Sequence, residues 1–195
     1  MPPQERREQL LDAALSVIVR DGYEGVSIEA IARTAGVTRP VIYDHFPNLG
    51  WLLQALIERE ERYALEQLAA VVPHSPGDGA PPELFATGVR RFLDAVASRP
   101  ATWRIILLPP EGTPAIVREH VERNRALMLD RIETLVSWAL SRAGVAAKLD
   151  VELCARAIRS LSEEAGRMVL TDPEHYSAER YEHFALAVMR IIWTP

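Results

Sequence analysis

The chain has 195 residues, 48% of them hydrophobic, which is enough for a substantial core in one large domain or two small ones. One cysteine, Cys154, rules out an intrachain disulfide, and no run of about 18 apolar residues is present to cross a membrane as a helix. The first residues, Met1-Pro2-Pro3-Gln4-Glu5-Arg6-Arg7, lack a hydrophobic signal core, so a reducing cytoplasm is the expected location. The net charge of −5 fits a nucleic-acid binder only if positive charge gathers on one face.

A first helix is expected from about Glu5 to Arg20, with Leu11, Ala14, Leu15 and Ile18 on its inner stripe and Gly22 ending it. Two short helices follow in residues 26–46. Ile28, Ile31 and Ala32 share one face of the first, and Ser27 can cap it. Gly36 stands where the chain must turn, Thr38 can cap the second helix, and Pro40 is tolerated in its first turn. Two short helices joined by a tight turn form a helix-turn-helix, which lays its second helix in the DNA major groove.

A fourth helix starts near Asn48, turns Leu52, Leu53, Leu56 and Ile57 inward, and runs through a solvated stretch, Glu58-Arg59-Glu60-Glu61-Arg62, towards Val72. Pro73 to Pro82 is too rich in proline and glycine for regular structure and reads as a loop. Helices are then expected over Glu83–Ser98 and Pro100–Leu108, followed by a break at Pro109-Pro110-Glu111-Gly112. Thr113-Pro114 would open a long helix ending at Ala143-Gly144. Asp150 would cap a helix reaching Leu170, and Asp172-Pro173 would open the last one, ending at Trp193. No period-2 strand pattern or internal repeat occurs, so the expected fold is all-α with about nine helices.

Residues 27–46 resemble the DNA-binding motif of the tetracycline-repressor (TetR/AcrR) family of bacterial transcription regulators. The matching residues are Ile31-Ala32, the turn Ala35-Gly36-Val37-Thr38, and Tyr43, His45 and Phe46. Leu10-Leu11, Ala13-Ala14-Leu15, Asp21-Gly22-Tyr23 and Gly25 before them match as well. The resemblance is specific over residues 5–56. It implies a DNA-binding domain over 1–50 and an effector-binding and dimerisation domain over 51–195.

Arg39, at the start of the recognition helix, suits the O6 and N7 of guanine; the other readings of it are a phosphate contact or a salt bridge to Asp44. Pro40 and Val41 offer apolar surface to a thymine methyl, and Ser27 can present its helix N-terminus to a phosphate. With Thr38 and Arg33 they make up the candidate DNA-binding set, which the resemblance extends to Tyr43 and His45. Two positions depart from the family. Leu49 stands where a lysine is usual, and Glu29 stands where some relatives carry a basic residue facing DNA. Glu29 would repel phosphate or accept from cytosine N4. Over residues 1–57, five arginines face seven acids.

For the C-terminal part the resemblance implies an effector pocket. Phe92, Trp103, Met128 and Trp138 are candidate lining residues, and Arg104, His120 and Asn124 are candidate polar ones, although aromatics at helical spacing also suit an ordinary core. The eighth helix is rich in small residues (Ala155, Ala157, Ser160, Ser162, Ala165, Gly166), which permit close helix approach. With the resemblance, they point to a homodimer through the eighth and ninth helices, about 151–170 and 174–193.

Enzyme chemistry finds little support. The five histidines show no metal-ligand spacing, Glu163 and Glu164 diverge by about 100° on a helix, and no glycine-rich phosphate loop exists. No cofactor or metal is expected. The sequence reads as a ligand-responsive repressor that binds a palindromic operator as a homodimer. The alternatives are a DNA-binding regulator controlled by protein partners, or an enzyme or binding module on the same fold.

Overall fold

A computed structural model describes residues 1–71, 80–110, 112–143 and 149–193. Among them the chain forms nine helices and no strand: α1 (Pro3–Asp21), α2 (Ile28–Ala35), α3 (Arg39–Tyr43), α4 (Leu49–Val71), α5 (Pro81–Ser98), α6 (Pro100–Leu107), α7 (Ala115–Arg142), α8 (Val151–Thr171) and α9 (Ala178–Trp193). Residues 1–64 and 101–121 form one compact unit; residues 65–100 and 122–195 form a second.

The first unit is built on the stripe expected of α1. Leu10, Leu11, Ala14 and Ile18 are at most 1% exposed, and they meet Ile28, Ile31 and Ala32 of α2, Ile42 of α3, Leu52 and Leu56 of α4, and Ile105 of α6. Each leucine and isoleucine among them contributes roughly 1.5–3 kcal/mol by leaving water. α1 ends where its backbone turns left-handed at Gly22, and three residues on, a β-carbon on Gly25 would lie 2.5 Å from that of Asp21. Only glycine fits there, so this connection holds α2 close beneath α1.

In the second unit α5 packs on α8 and α9. A separate cluster joins Val136 and Leu140 of α7 to Ala155 of α8. The small residues of α8 divide between two environments. Ala155, Ala165 and Gly166 are buried within the unit, whereas Ala157 and Ser160 are exposed beside Leu153 and Leu161. Close packing inside one chain therefore accounts for the first group.

Several boundaries differ from the sequence reading, each for a local reason. Asp172 does not open the last helix. Its carboxylate accepts from the His175 amide at 3.2 Å in a turn, and Ser177 caps α9 by accepting from Arg180 N at 3.2 Å. Pro81 and Pro82 are not loop residues but the buried first turn of α5, where a missing N–H costs nothing. The Thr113 hydroxyl is spent on the Pro110 carbonyl, 2.5 Å away, and α7 begins at Ala115. Asp150 caps α8 through Leu153 N as expected. Val72 at the expected end of the fourth helix, residues 73–79 of the expected loop, and Gly144 lie outside the described residues.

Candidate nucleic-acid interface

α2 and α3 are held by different devices. Ser27 Oγ accepts from Ala30 N at 3.1 Å, a cap that contributes about 1 kcal/mol. At the other end Gly36 takes φ 67°, and the amides of Gly36 and Val37 close back on the Arg33 and Ala32 carbonyls. The Ala35 carbonyl accepts from Gln9 Nε2 at 2.9 Å, which ties the end of α2 to α1. Thr38 occupies the N-cap position of α3 in extended conformation, but its side chain makes no capping hydrogen bond, contrary to the sequence reading. Pro40, with φ preset for a helix, serves the first turn of α3 instead.

Ile42 is the one buried residue of α3 and fixes it to the core. Every other side chain of this five-residue helix is left wholly or partly to solvent. Thr38, Arg39, Pro40 and Tyr43 are exposed, as is Arg33 on α2; Ser27, Val41 and His45 are half-buried. The candidate set thus falls on the free side of α2, α3 and the turn between them. Phe46 returns to the core beneath the Arg7 guanidinium, 5.1 Å from the ring centroid. Arg7, His45, Phe46 and Trp51 line a shallow groove beside this surface, and Trp51 is 58% exposed. Trp51 lies outside the inward stripe Leu52, Leu53, Leu56 and Ile57 expected of this helix, and no motif marks it as a site residue. Leu49 packs half-buried against the core rather than reaching outward as a lysine would.

Charge is arranged differently from the sequence reading. Arg39 Nη1 lies 2.7 Å from Glu29 Oε1, an ion pair between α3 and α2 in place of the considered pair with Asp44. That hydrogen bond is the main reason the Glu29 carboxyl titrates below its ordinary range. The stretch 58–62 is not wholly solvated. Arg59 and Glu60 are 5% and 2% exposed, and Arg59 bonds Glu60 (2.7 Å), Asp12 (2.8 Å) and Glu8 (3.0 Å). Thr102 on α6 donates to the other Glu60 oxygen at 2.5 Å. Burial disfavours the Arg59 charge, but these carboxylates outweigh it and raise its pKa. Two of the seven N-terminal acids, Glu8 and Asp12, thus share with Glu60 a single arginine of α4. The group as a whole stays acidic, so the excess of acids counted over residues 1–57 persists.

The candidate effector residues divide between the units. Trp103, Arg104 and His120 belong to the first, where Trp103 is 2% exposed and His120 Nδ1 is 2.6 Å from Glu61 Oε2. Phe92, Asn124, Met128 and Trp138 belong to the second, with Phe92 and Met128 buried and the Arg142 guanidinium 5.6 Å from the Trp138 ring. Among the described residues no cluster of three or more His, Cys, Asp or Glu could hold a metal, and no helix is long and apolar enough to cross a membrane.

A helix hairpin with one face fixed to a core and the other lined by arginine, hydroxyls and an exposed tyrosine is a helix-turn-helix of the DNA-reading class. Residues 10–56 match the sequence model of the bacterial regulatory proteins of the tetR family. The transcriptional activator FasR of Mycolicibacterium smegmatis is 44% identical over 59 residues, 30% of this chain and 27% of FasR. The alignments with the first curated relatives cover less than half of each relative's length. A TetR-like regulator from Rhodococcus sp. RHA1 has the same fold over 100% of both chains, with TM-score 0.77 and 22% identity. FadR of Bacillus subtilis, solved in complex with stearoyl-CoA, follows at TM-score 0.68 and 19% identity over 93% of this chain and 96% of FadR. Residues 10–56 therefore match the tetR family model, and the chain as a whole carries the fold of TetR-like regulators.

Proposed function

We propose that the protein is a homodimeric, ligand-responsive transcriptional repressor that binds a palindromic operator through residues 1–50. The observation that carries this reading is α3, anchored by Ile42 alone and turning Thr38, Arg39, Pro40 and Tyr43 outward. Arg39 is the proposed base reader. Ser27, Arg33, Tyr43 and His45 are proposed backbone contacts, and Pro40 and Val41 proposed apolar ones. Arg39→Ala is expected to cost about 1–3 kcal/mol on the preferred duplex and to relax preference at one base pair per half-site. Uniformly weaker binding, with preference intact in competition assays, would make Arg39 a phosphate contact.

Dimerisation is proposed through α8 and α9. On α8 Leu153, Ala157 and Leu161 recur every fourth residue on an exposed face, and on α9 the exposed Phe184, Ala187 and Ile191 are spaced three and four apart, which also suits one helix face. Leu153, Leu161, Phe184 and Ile191 are 64–78% exposed, a density of bare apolar side chains that suits a self-complementary interface.

Residues 51–195 are proposed to take a small-molecule effector; Phe92, Asn124, Met128 and Trp138 are candidate contacts within the second unit, and Trp103, Arg104 and His120 are separate candidates within the first. An effector that stabilises a dimer whose recognition helices are no longer about 34–36 Å apart would release DNA by population shift. A thermal-shift screen tests this part. A compound that raises Tm with the logarithmic concentration dependence of single-site binding and weakens duplex binding supports it, and one that raises Tm without affecting DNA contradicts the coupling.

A further inference from the structure

The Arg39–Glu29 pair is exposed on both sides, with each side chain 62% accessible, and it bridges the two helices of the hairpin across the left-handed turn at Gly36. Both ends are held by the core. Ile28 and Ala30 flank Glu29 and are buried, and Ile42 anchors α3. We infer that Glu29 sets operator specificity by holding the Arg39 guanidinium, so that Arg39 is surrendered to a guanine edge but not to a bare phosphodiester. The inference rests on the DNA-binding reading above.

The chemistry is an exchange. A phosphate offers Arg39 another anion in place of the carboxylate, so little is gained, and Glu29 is left beside a like charge. Guanine offers O6 and N7 in the fork geometry of the guanidinium, and the paired cytosine offers its N4 amine, a donor, to the freed carboxylate. One G·C pair therefore satisfies both side chains, whereas the backbone satisfies one and repels the other.

The test uses the full chain. Duplexes are selected from a random pool by the wild-type protein, and binding to the selected duplex and to a scrambled one is measured across salt concentration. Glu29→Gln changes an exposed side chain and should leave the fold intact. It is expected to bind the scrambled duplex roughly tenfold more tightly per subunit near 0.1 M salt, with a salt slope steeper by about 0.9 per subunit. The selected-to-scrambled ratio should fall by a similar factor. Combined with Arg39→Ala, Glu29→Gln should change that ratio far less than it does alone. A ratio preserved in Glu29→Gln, or one that falls equally without Arg39, would overturn the inference while leaving the DNA-binding reading in place. If the wild-type protein selects no sequence and binds no duplex in a salt-dependent way, both fail.

Discussion

Phe184→Asp is expected to convert the protein into a folded monomer with operator affinity reduced by at least two orders of magnitude. The side chain is 65% exposed within one chain, so a carboxylate there meets water and costs the monomer little. Across a two-fold interface the same carboxylate would lie near its own copy or be buried without a partner, and either outcome opposes assembly. The DNA effect follows from geometry. A dimer that has docked one recognition helix presents the second at a high effective concentration, an advantage a monomer lacks. Sedimentation and duplex titration of one preparation read both effects. Leu161→Asp, 72% exposed on α8, should act alike. Gly166, by contrast, is buried inside its unit, so a bulky residue there would test folding rather than assembly. A folded Phe184→Asp protein that stays dimeric would place the interface on another surface.

The largest loss of stability is expected from Arg59→Ala. Of the three carboxylates around Arg59, Asp12 is 71% exposed and Glu8 35%, so water can replace the arginine there. The Glu60 side chain is buried and, among the described residues, would keep only Thr102 as partner. A buried carboxylate stripped of its cation costs about 3–5 kcal/mol, which for a chain of this size lowers Tm by on the order of 10 °C. Glu60→Gln retains the shape, with its oxygen free to face Arg59 and its NH2 to donate to the Thr102 hydroxyl, and should cost clearly less. Equal and small losses in the two variants would mean that water already reaches the pair.

The parts of the fold legible in the sequence were those set by local rules. The stripe Leu11, Ala14, Leu15, Ile18 and the caps at Ser27 and Asp150 each follow from side chains within one turn of the element they serve. Long-range partnerships were not legible. Arg59 and Glu60 sit in a run of five charged residues that reads as solvated, and only the approach of Glu8, Asp12 and Thr102, about 40 to 50 residues away in sequence, buries them. Glu29 and Arg39 face one another because Gly36 folds the chain back between them, whereas proximity in sequence favoured Asp44. Ala155, Ala165 and Gly166 show the same limit. Small size predicts a close neighbour but does not say whether that neighbour belongs to the same chain or to a partner.

The central claim is that α3 reads DNA as one of a symmetric pair. Sequencing the duplexes that the wild-type protein enriches from a random pool, in parallel with the Arg39→Ala protein, tests it most directly. The account predicts an inverted repeat in the wild-type pool whose half-site centres are one duplex turn apart, with a G·C pair in each half-site that the Arg39→Ala pool lacks. Enrichment of no sequence, or of a motif without two-fold symmetry that survives unchanged in Arg39→Ala, would contradict it.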